Sequence, residues 1–480
     1  MAPGGDPLKR TQAAVLACCL ILALSRPAVG APPAPVAQAM TNEHIASPAV
    51  SFVVLDVESG QIAASFNPST PRSPASTIKV VTTFATLDSL GPAYTWHTQA
   101  LLQGTLEDGV LEGDLILKGG GDPYMTLERW WRFVQELRAK GLRALHGDIV
   151  IDDTAFALPP EDPAAFDGRP HQAYNAEPSA IMVNFQSVMF RLVPNPGARR
   201  VDIAATPAPV NLAIDNHVAF MAGPCSGAAA RVAFEVPSAE WDRVEFSGFL
   251  SPQCAERSIT RVLLSAPSYA FGTFVQLWRE SGGTFEGKWR VAAAPPTATA
   301  FLSFDSLTLA EVVRLTNKFS NNLMARHLLL TLGAERFGAP ATLEKGARAI
   351  SAWSEERGLA LSDMEIDNGS GLSRTTRISV LQLAAVLRAA YHSHYAPEFI
   401  ASLPLAGIDG TLRSRMHSAP PGSARLKTGH LDGVSGIAGY VTGASGKVYV
   451  VVSLVNDEQF GGGVGDSVHA ALVGWTQAAL

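Results

Sequence analysis

Strand and helix patterns of similar character occur at the two ends of this chain, and a long stretch of different character separates them. Apolar runs at 50–55 and 61–66, joined by Glu-Ser-Gly, predict a hairpin, and a helical pattern follows over 77–90. Near the other end, apolar runs at 434–441 and 448–455 predict a second hairpin. The pattern therefore predicts an α/β domain that is split between the two ends, with other domains inserted into it.

The intervening residues are expected to be rich in strands. Residues 95–120 alternate like strands and 127–140 have a helical pattern, whereas 180–290 contain short strand-like runs and no long amphipathic period. Residues 31–47, rich in Ala and Pro, have the composition of a leader segment. The predicted organisation is a signal segment at 1–30, a split main domain at 31–92 and 291–480, an inserted α/β domain at 93–180 and 256–290, and a nested β-rich insertion at 181–255.

Composition and charge argue against two classes of function. The chain has 37 basic and 43 acidic side chains, a net charge of −6, and no stripe of lysine and arginine that could follow phosphates. We therefore expect no nucleic-acid partner.

His392 and His394 are close in sequence, but no partner cluster at metal-ligand spacing accompanies them. The sequence predicts no metal and no other cofactor.

The N-terminus has the pattern of an export signal. The basic pair Lys9-Arg10 precedes an apolar run at 13–24, and small residues at 28–30 offer a cleavage point. The apolar run is too short to span a bilayer. A lipoprotein signal around Cys18 is an alternative, although apolar sequence continues past that cysteine. The prediction is a periplasmic protein, released from a cleaved signal peptide, with at most peripheral membrane association.

Removal of the signal would leave two cysteines, Cys225 and Cys254. In an oxidising compartment such a pair predicts a disulfide. The alternative is two unrelated buried thiols.

Three short motifs occur in order along the chain. Ser76 precedes Lys79 by three residues at the start of the first predicted helix, which places both side chains on one face. The triplet Ser320-Asn321-Asn322 falls between two helical patterns, with Ser320 in the position of an N-cap. Lys427-Thr428-Gly429 leads into the second hairpin.

These residue types suit nucleophilic catalysis by a serine. A hydroxyl such as that of Ser76 is a poor nucleophile until a base accepts its proton. Lys79 can be this base only when it is neutral, which requires desolvation or a nearby positive charge such as Lys427 to lower its pKa. Ser320 and Asn322 could relay a proton and hold a substrate amide.

The third motif supplies groups that could bind the substrate. Lys427 and Thr428 could bind a terminal carboxylate, and Gly429 precedes a backbone N–H, that of His430. This N–H and the N–H of Ser76 could together stabilise a tetrahedral oxyanion. The motifs therefore predict acyl transfer through a covalent intermediate.

The ordered Ser-x-x-Lys, Ser-x-Asn and Lys-Thr-Gly set resembles that of the serine penicillin-recognising enzymes, the DD-peptidases and β-lactamases. Further segments are similar to the D-Ala-D-Ala carboxypeptidase/endopeptidase family of class C penicillin-binding proteins (penicillin-binding protein 4 type, serine peptidase family S13). These segments are 119–123, 174–176, 368–374, 405–412 and 427–436. The long insertion between the first two motifs is also typical of that family, and the resemblance covers nearly the whole mature chain.

This resemblance implies a fold and an activity. The expected fold is a β-lactamase-like transpeptidase domain, an antiparallel sheet with helices, which carries large β-rich insertions. The expected activity is hydrolysis of D-Ala-D-Ala peptides and of D-Ala-diaminopimelate cross-links in peptidoglycan, with β-lactam antibiotics as covalent inhibitors. The catalytic residues would be Ser76, Lys79, Ser320, Asn322 and Lys427.

The resemblance also suggests a specificity pocket for diaminopimelate. Arg374 is expected to meet the side-chain carboxylate of this residue, while Asp152 meets its amine and Phe156 packs against its methylenes. Two positions depart from the family pattern, because Asn321 stands where Asp is frequent and His430 where Thr or Ser is commoner. The oxyanion donor at the latter position is backbone, so catalysis should survive while substrate preference could shift.

Two other functions are compatible with parts of this pattern. A β-lactamase has the same three motifs but lacks the long insertion. A catalytically idle peptidoglycan-binding protein would need none of the motif side chains, yet all of them are present.

Overall fold

The computed structural model describes residues 30–416, 420, 422–459 and 463–480. All of the predicted signal segment except Gly30 therefore lies outside the described residues. Helices α1 to α10, in chain order, are Ala34–Asn42, Lys79–Leu90, Leu127–Ala139, Ala266–Glu280, Leu309–Phe319, Asn322–Phe337, Leu343–Glu356, Val380–Tyr391, Ala396–Ser402 and Asp466–Ala479. Strands β1 to β18 are Val50–Asp56, Ile62–Phe66, His97–Glu107, Val110–Lys118, Ala144–Leu145, Ile149–Asp152, Ser187–Asn195, Arg200–Thr206, Ala213–Phe220, Val232–Glu235, Arg243–Leu250, Arg257–Val262, Thr284–Phe285, Trp289–Val291, Thr299–Asp305, Ala424–Leu431, Val434–Thr442 and Val448–Asn456.

The two ends of the chain build one sheet, as predicted. Its order is β16-β17-β18-β1-β2, and all neighbours are antiparallel. Side chains alternate between two cores: Val53 and Leu55 face the core that includes α2 and α8, whereas Phe52 and Val54 face the core that includes α1 and α10. The antiparallel sheet is therefore covered by helices on both faces, which confirms the expected fold class.

Residues 31–47 do not form an extended leader. They contain helix α1, which packs against α10 and buries Val36 and Met40 completely or almost completely. The expectation was wrong because a short helix rich in Ala, with few large apolar residues, has little periodicity to reveal it.

The inserted region begins with a mixed seven-stranded sheet. Strands β15, β3 and β4 are antiparallel neighbours, while β5, β6, β13 and β14 join in parallel pairs. Because β15 pairs with β3, the main domain resumes after Asp305 and not at residue 291. Likewise β12 pairs with β7, so the nested insertion extends to Val262 and not to 255. Both boundaries depend on long-range strand pairing, which local patterns do not reveal.

The inserted sheets share one hydrophobic core that also includes helices α3 and α4. Helix α4 was not predicted from the sequence. Ten of its 15 residues are buried, so it lacks the broad polar face by which an amphipathic helix is recognised. Within the described residues, no helix is long and apolar enough to cross a membrane.

Candidate active site

Ser76 and Lys79 meet at the start of the first long helix. A 3-10 turn at Ala75–Ile78 runs directly into α2, which places the two side chains one turn apart. Lys79 Nζ donates to Ser76 Oγ at 2.9 Å, to Asn322 Oδ1 at 2.8 Å and to the Ser370 carbonyl at 2.5 Å. The first two motifs, 243 residues apart at Lys79 and Asn322, are thereby joined.

The environment of Lys79 favours its neutral form. The side chain is completely buried, and no carboxylate is among its hydrogen-bond partners in the structure. Burial, with a further contribution from the positive charge of Lys427, holds the pKa of Lys79 well below its ordinary value. A neutral amine has two N–H groups for the Asn322 and Ser370 oxygens, and its lone pair is then free to accept the proton of the Ser76 hydroxyl.

Ser320 lies between helices α5 and α6, but it is not the N-cap that the sequence suggested. It follows α5 in the left-handed conformation, with φ of 57°, and the neighbouring Asn321 side chain caps α6 by accepting from Met324 N at 2.9 Å. The left-handed residue turns the chain sharply, and the Ser320 hydroxyl accepts a hydrogen bond from Lys427 Nζ at 2.7 Å.

Lys427 and Thr428 come from the edge strand β16. Lys427 is fully buried and also donates to the Thr428 carbonyl at 2.7 Å. Burial lowers the pKa of Lys427 to about 7. The Thr428 hydroxyl donates to Thr411 Oγ1 at 2.8 Å. Thr411 belongs to a segment quoted for the family resemblance, but its role was not anticipated.

The free edge of β16 directs backbone N–H groups into the site. Leu426 N donates to Pro404 O at 2.9 Å, on the side away from β17. Alternate residues of an antiparallel strand direct their N–H groups to the same side, so those of Thr428 and His430 also face this edge. A Cβ at Gly429 would lie 3.0 Å from Ser76 N. The N–H groups of Ser76 and His430 are therefore close neighbours.

A partly buried ion pair holds the loop that carries Thr411. Lys318, two residues before Ser320, is 4% exposed and donates to both carboxylate oxygens of Asp409, at 2.9 and 2.7 Å. It also donates to the Leu403 carbonyl at 2.6 Å. The pair links the second motif to the loop beside the third. Sequence reasoning missed it because the two residues are 91 positions apart.

Arg374 lines a pocket of about 330 Å³ beside the catalytic residues. Its guanidinium lies 4.3 Å from the centroid of the Phe166 ring and donates to the Phe166 carbonyl at 3.3 Å. Ser370, whose carbonyl binds Lys79, lines the same pocket, as does Asp162 on the opposite loop. The pocket is lined by two cationic side chains, Arg326 and Arg374, and by three anionic ones, Glu161, Asp162 and Asp367. Arg326 and Glu161 are paired with each other at 2.7 Å, which leaves Arg374 and Asp162 as charges of opposite sign that a ligand could meet.

Asp152 does not reach this pocket, which corrects its predicted role. Its side chain is 1% exposed and accepts from Thr154 Oγ1 at 2.6 Å and from Ala294 N at 2.9 Å. A carboxylate engaged in this way joins β6 to the segment after β14 and is closed to a substrate amine. Its position at the end of a buried strand is decided by the pairing of β6 with β4.

Phe156 lies in a neighbouring pocket of about 240 Å³, which shares Glu161 and Arg326 with the pocket beside Arg374. Its ring packs edge-on against His327, with 5.3 Å between centroids. The structure thus places Phe156 next to the predicted specificity pocket and not within it.

The remaining predicted residues lie as follows. The His430 side chain points to Arg415, with 3.4 Å between Nδ1 and Nη1, and to Asp466, with 3.5 Å between Nε2 and Oδ1. Cys225 and Cys254 form a disulfide, with an S–S distance of 2.07 Å. Among the side chains that the structure describes, no group of three or more His, Cys, Asp or Glu could hold a metal ion.

Several known proteins resemble this chain in sequence and in fold. The chain is 25% identical over 410 residues to D-alanyl-D-alanine carboxypeptidase DacB of Haemophilus influenzae, with 85% of each protein covered. The crystal structure of penicillin binding protein 4 from the same organism matches with a TM-score of 0.76, at 24% identity, over 91% of this chain and 97% of that chain. A complex of that protein with a β-lactam matches with a TM-score of 0.72, at 23% identity, over 89% and 96%.

A family match extends over almost the entire chain. Residues 33–479 match the D-Ala-D-Ala carboxypeptidase 3 (S13) family, and this range includes all three motifs. The chain therefore belongs to the D-Ala-D-Ala carboxypeptidase 3 (S13) family.

Proposed function

We propose that this protein is a serine peptidase that cleaves the bond after the first D-Ala of D-Ala-D-Ala peptides in peptidoglycan, through an acyl-enzyme on Ser76. The observation that carries the proposal is the 2.9 Å hydrogen bond between Ser76 Oγ and a fully buried Lys79. A lysine that is neutral at the pH of the reaction can act as a general base toward this hydroxyl.

Acylation follows from the positions of the three motifs. Lys79 accepts the Ser76 proton as Oγ attacks the carbonyl carbon of the penultimate D-Ala. The N–H groups of Ser76 and His430 stabilise the resulting oxyanion. The hydroxyl of Ser320, held by Lys427, passes a proton to the leaving amine and receives the proton that Lys79 took from Ser76, so Lys79 is neutral again. Water then attacks the acyl-enzyme and gives a proton to Lys79, which returns it to Ser76 Oγ as the ester bond breaks.

The leaving group is recognised by its carboxylate. Lys427 and Thr428 offer an ammonium and a hydroxyl beside the scissile bond. A cross-link to the D-centre of diaminopimelate places a carboxylate next to the scissile amide, just as a terminal D-Ala does. The same site can therefore release D-Ala or open a cross-link, which supports both carboxypeptidase and endopeptidase action. A β-lactam carries a carboxylate next to a strained amide and would acylate Ser76 in the same way.

The pocket beside Arg374 supports stem peptides with diaminopimelate as substrates. The side chain of diaminopimelate ends in an amine and a carboxylate, and charge-assisted hydrogen bonds to such groups are both strong and directional. Arg374 is suited to the carboxylate. Asp162, which lines the same pocket, takes the place that the sequence assigned to Asp152 as the ligand of the amine.

We place the reaction in the periplasm, after removal of the N-terminal export signal. The substrate is found outside the cytoplasmic membrane, and the Cys225–Cys254 disulfide suits an oxidising compartment. Both observations support this location.

Labelling with a fluorescent penicillin tests the proposed activity. The protein should bind it covalently in a one-to-one ratio and should release D-Ala from a peptide that ends in D-Ala-D-Ala. Ser76→Ala should abolish both reactions while the melting temperature changes little, because a capping hydroxyl contributes typically about 1 kcal/mol and, in the part of the chain that the structure describes, no side chain caps the helix start at Ser76. A covalent adduct on the alanine variant would refute the assignment. Rapid turnover of nitrocefin without release of D-Ala would instead identify a β-lactamase.

A further inference from the structure

A second cavity lies in the inserted region, outside the catalytic residues. Its volume is about 660 Å³, and its walls come from the loop at 170–179, the segment at 239–242 before β11, the connection at 262–268 between β12 and α4, and Trp289 in β14. None of the three catalytic motifs contributes to it. The proposed peptidase reaction therefore does not account for this cavity.

Two tryptophans line the cavity, and each is held by another ring. Trp289 stacks on Phe271 with 5.1 Å between ring centroids, and Trp241 packs edge-on against His171 at 4.6 Å. Both indoles remain partly exposed. Rigid, partly exposed indoles offer apolar surface to a ligand at little cost in conformational entropy.

The charge of the cavity has one sign. Four carboxylates, those of Asp153, Glu177, Glu240 and Asp242, lie among its lining residues, and no lysine, arginine or histidine does. Amide and hydroxyl groups, including Asn211, complete the polar wall. Like-charge repulsion and desolvation both oppose the entry of an anion. The cavity therefore suits a ligand that is neutral or cationic and rich in hydrogen-bond donors.

The cavity adjoins the substrate cleft. Pro163 and Asn175 line both this cavity and the pocket beside Arg374. The residue before Asn175, Tyr174, accepts a hydrogen bond from the catalytic Asn322 through its carbonyl, at 3.3 Å. A polymer whose peptide lies in the cleft can thus place a neighbouring part in the cavity.

We propose that this cavity binds the N-acetylated amino sugars of the peptidoglycan strand while the attached stem peptide occupies the catalytic cleft. The inference rests on the proposed function for the identity of the polymer. Charge decides between the two parts of that polymer, because stem peptides carry free carboxylates, whereas the acetylated sugars with their stem attached are neutral. The tryptophans would pack against the sugar rings, and the carboxylates would accept hydrogen bonds from sugar hydroxyl and amide groups.

The test compares two substrates that differ only in the sugar. One is a pentapeptide ending in D-Ala-D-Ala, and the other is the same peptide attached to its disaccharide. The wild-type kcat/KM for D-Ala release should be about ten-fold higher with the disaccharide, which corresponds to about 1.4 kcal/mol. Trp241→Leu and Glu240→Gln should remove this advantage and leave hydrolysis of the free peptide and acylation by penicillin unchanged. Trp131→Ala is the matched control, because Trp131 is 50% exposed and lies outside the cavity.

A binding measurement separates this inference from the proposed function. A tetramer of β-1,4-linked N-acetylglucosamine should bind the Ser76→Ala protein in calorimetry, and Trp241→Leu in that background should weaken binding about ten-fold. This readout does not require catalysis, so it stands even if no D-Ala is released. The inference is overturned if the wild-type protein acts equally on both peptides and the tetramer does not bind. It is also overturned if Trp241→Leu, correctly folded, loses activity on the free peptide to the same degree, since the peptide would then occupy the cavity.

Discussion

Lys79 and Lys427 are both fully buried, yet the proposed reaction requires opposite charge states from them. Lys79 must be neutral to accept a proton, whereas Lys427 must be charged to bind a carboxylate. Burial lowers the pKa of both, and the charge of Lys427 lowers the pKa of Lys79 further. The two requirements are met together only where Lys79 has lost its proton and Lys427 has kept its own.

The pH dependence of kcat/KM should therefore be bell-shaped for a D-Ala-D-Ala peptide. On the acid side the rate rises with pH as Lys79 loses its proton, and on the alkaline side it falls as Lys427 passes its pKa of about 7. Lys79→Arg, which stays charged, should slow acylation by about 10²- to 10⁴-fold at all pH values. Stopped-flow acylation and steady-state release of D-Ala measure these effects. A near-normal rate in Lys79→Arg would point to another base.

The charges of Arg374 and Asp162 should determine how well the enzyme recognises diaminopimelate. Arg374→Ala or Asp162→Ala should weaken turnover of diaminopimelate peptides by about 1.5–3 kcal/mol in transition-state binding. Acylation by a simple penicillin, which lacks this side chain, should change little. Asp152→Ala is the contrasting variant, since its buried carboxylate supports the inserted sheet and should affect stability more than selectivity. Equal losses on peptide and penicillin in Arg374→Ala would contradict the assignment of the pocket.

At the scale of secondary-structure elements, the site depends on close contact between β16 and the turn that precedes α2. A Cβ at Gly429 would lie 2.7 Å from Pro74 O, and one at Gly371 would lie 1.9 Å from Ala75 O. Ala75 itself has a φ of 45°, a conformation that costs about 1 kcal/mol or more for a residue with a side chain. The backbone around Ser76 is thus tightly packed between strand β16 and the loop that contains Gly371, and this packing holds the nucleophile in one position.

Gly429→Ala should therefore damage catalysis by separating β16 from Ser76. We expect a loss of stability of about 1–3 kcal/mol, as for other overpacked sites, together with a much larger fractional loss of penicillin acylation. Gly474→Ala is the control, because a Cβ there meets nothing within 4 Å and alanine favours a helix. Thermal melting and acylation rates measure the two effects. Wild-type acylation in Gly429→Ala would show that this contact is not needed.

At the scale of the whole molecule, the main domain and the insertions meet at helix α6. Arg326 forms an ion pair with Glu161 at 2.7 Å, and His327 is hydrogen bonded to the Gly121 carbonyl at 3.0 Å. Helix α6 also contains Asn322, so the inserted region contacts a helix that supplies a catalytic side chain. Farther from this contact, the nested insertion is closed by the Cys225–Cys254 disulfide.

The disulfide should stabilise the insertion without contributing to the reaction. The two cysteines are 29 residues apart, and a loop of this size corresponds to about 3–4 kcal/mol in the loop-entropy treatment. Replacing both cysteines with serine should lower the melting temperature and leave penicillin acylation intact. Alkylation without reductant, followed by intact-mass analysis of the exported wild-type protein, should find neither thiol free. Two alkylated cysteines would refute the bridge.

Some properties of the protein were determined by local sequence alone. The spacing of Ser76 and Lys79 fixes their relation on one helix turn, because neighbouring turns of a helix bring such residues together. The strands at both ends were also visible, since their apolar runs and turn residues are local signals. The three motifs in order indicated acyl transfer on a serine, and the further segments together with the long insertion indicated the family.

Other properties were decided only by the tertiary structure. The sequence suggested Asp152 as the ligand of the amine, but the pairing of β6 with β4 buries this carboxylate, and Asp162 lines the pocket with Arg374 instead. The left-handed turn at Ser320 and the Lys318–Asp409 pair likewise depend on contacts between distant segments. Local patterns report the conformation of a segment, whereas burial and electrostatic pairing depend on which segments meet, and so these features required the folded chain.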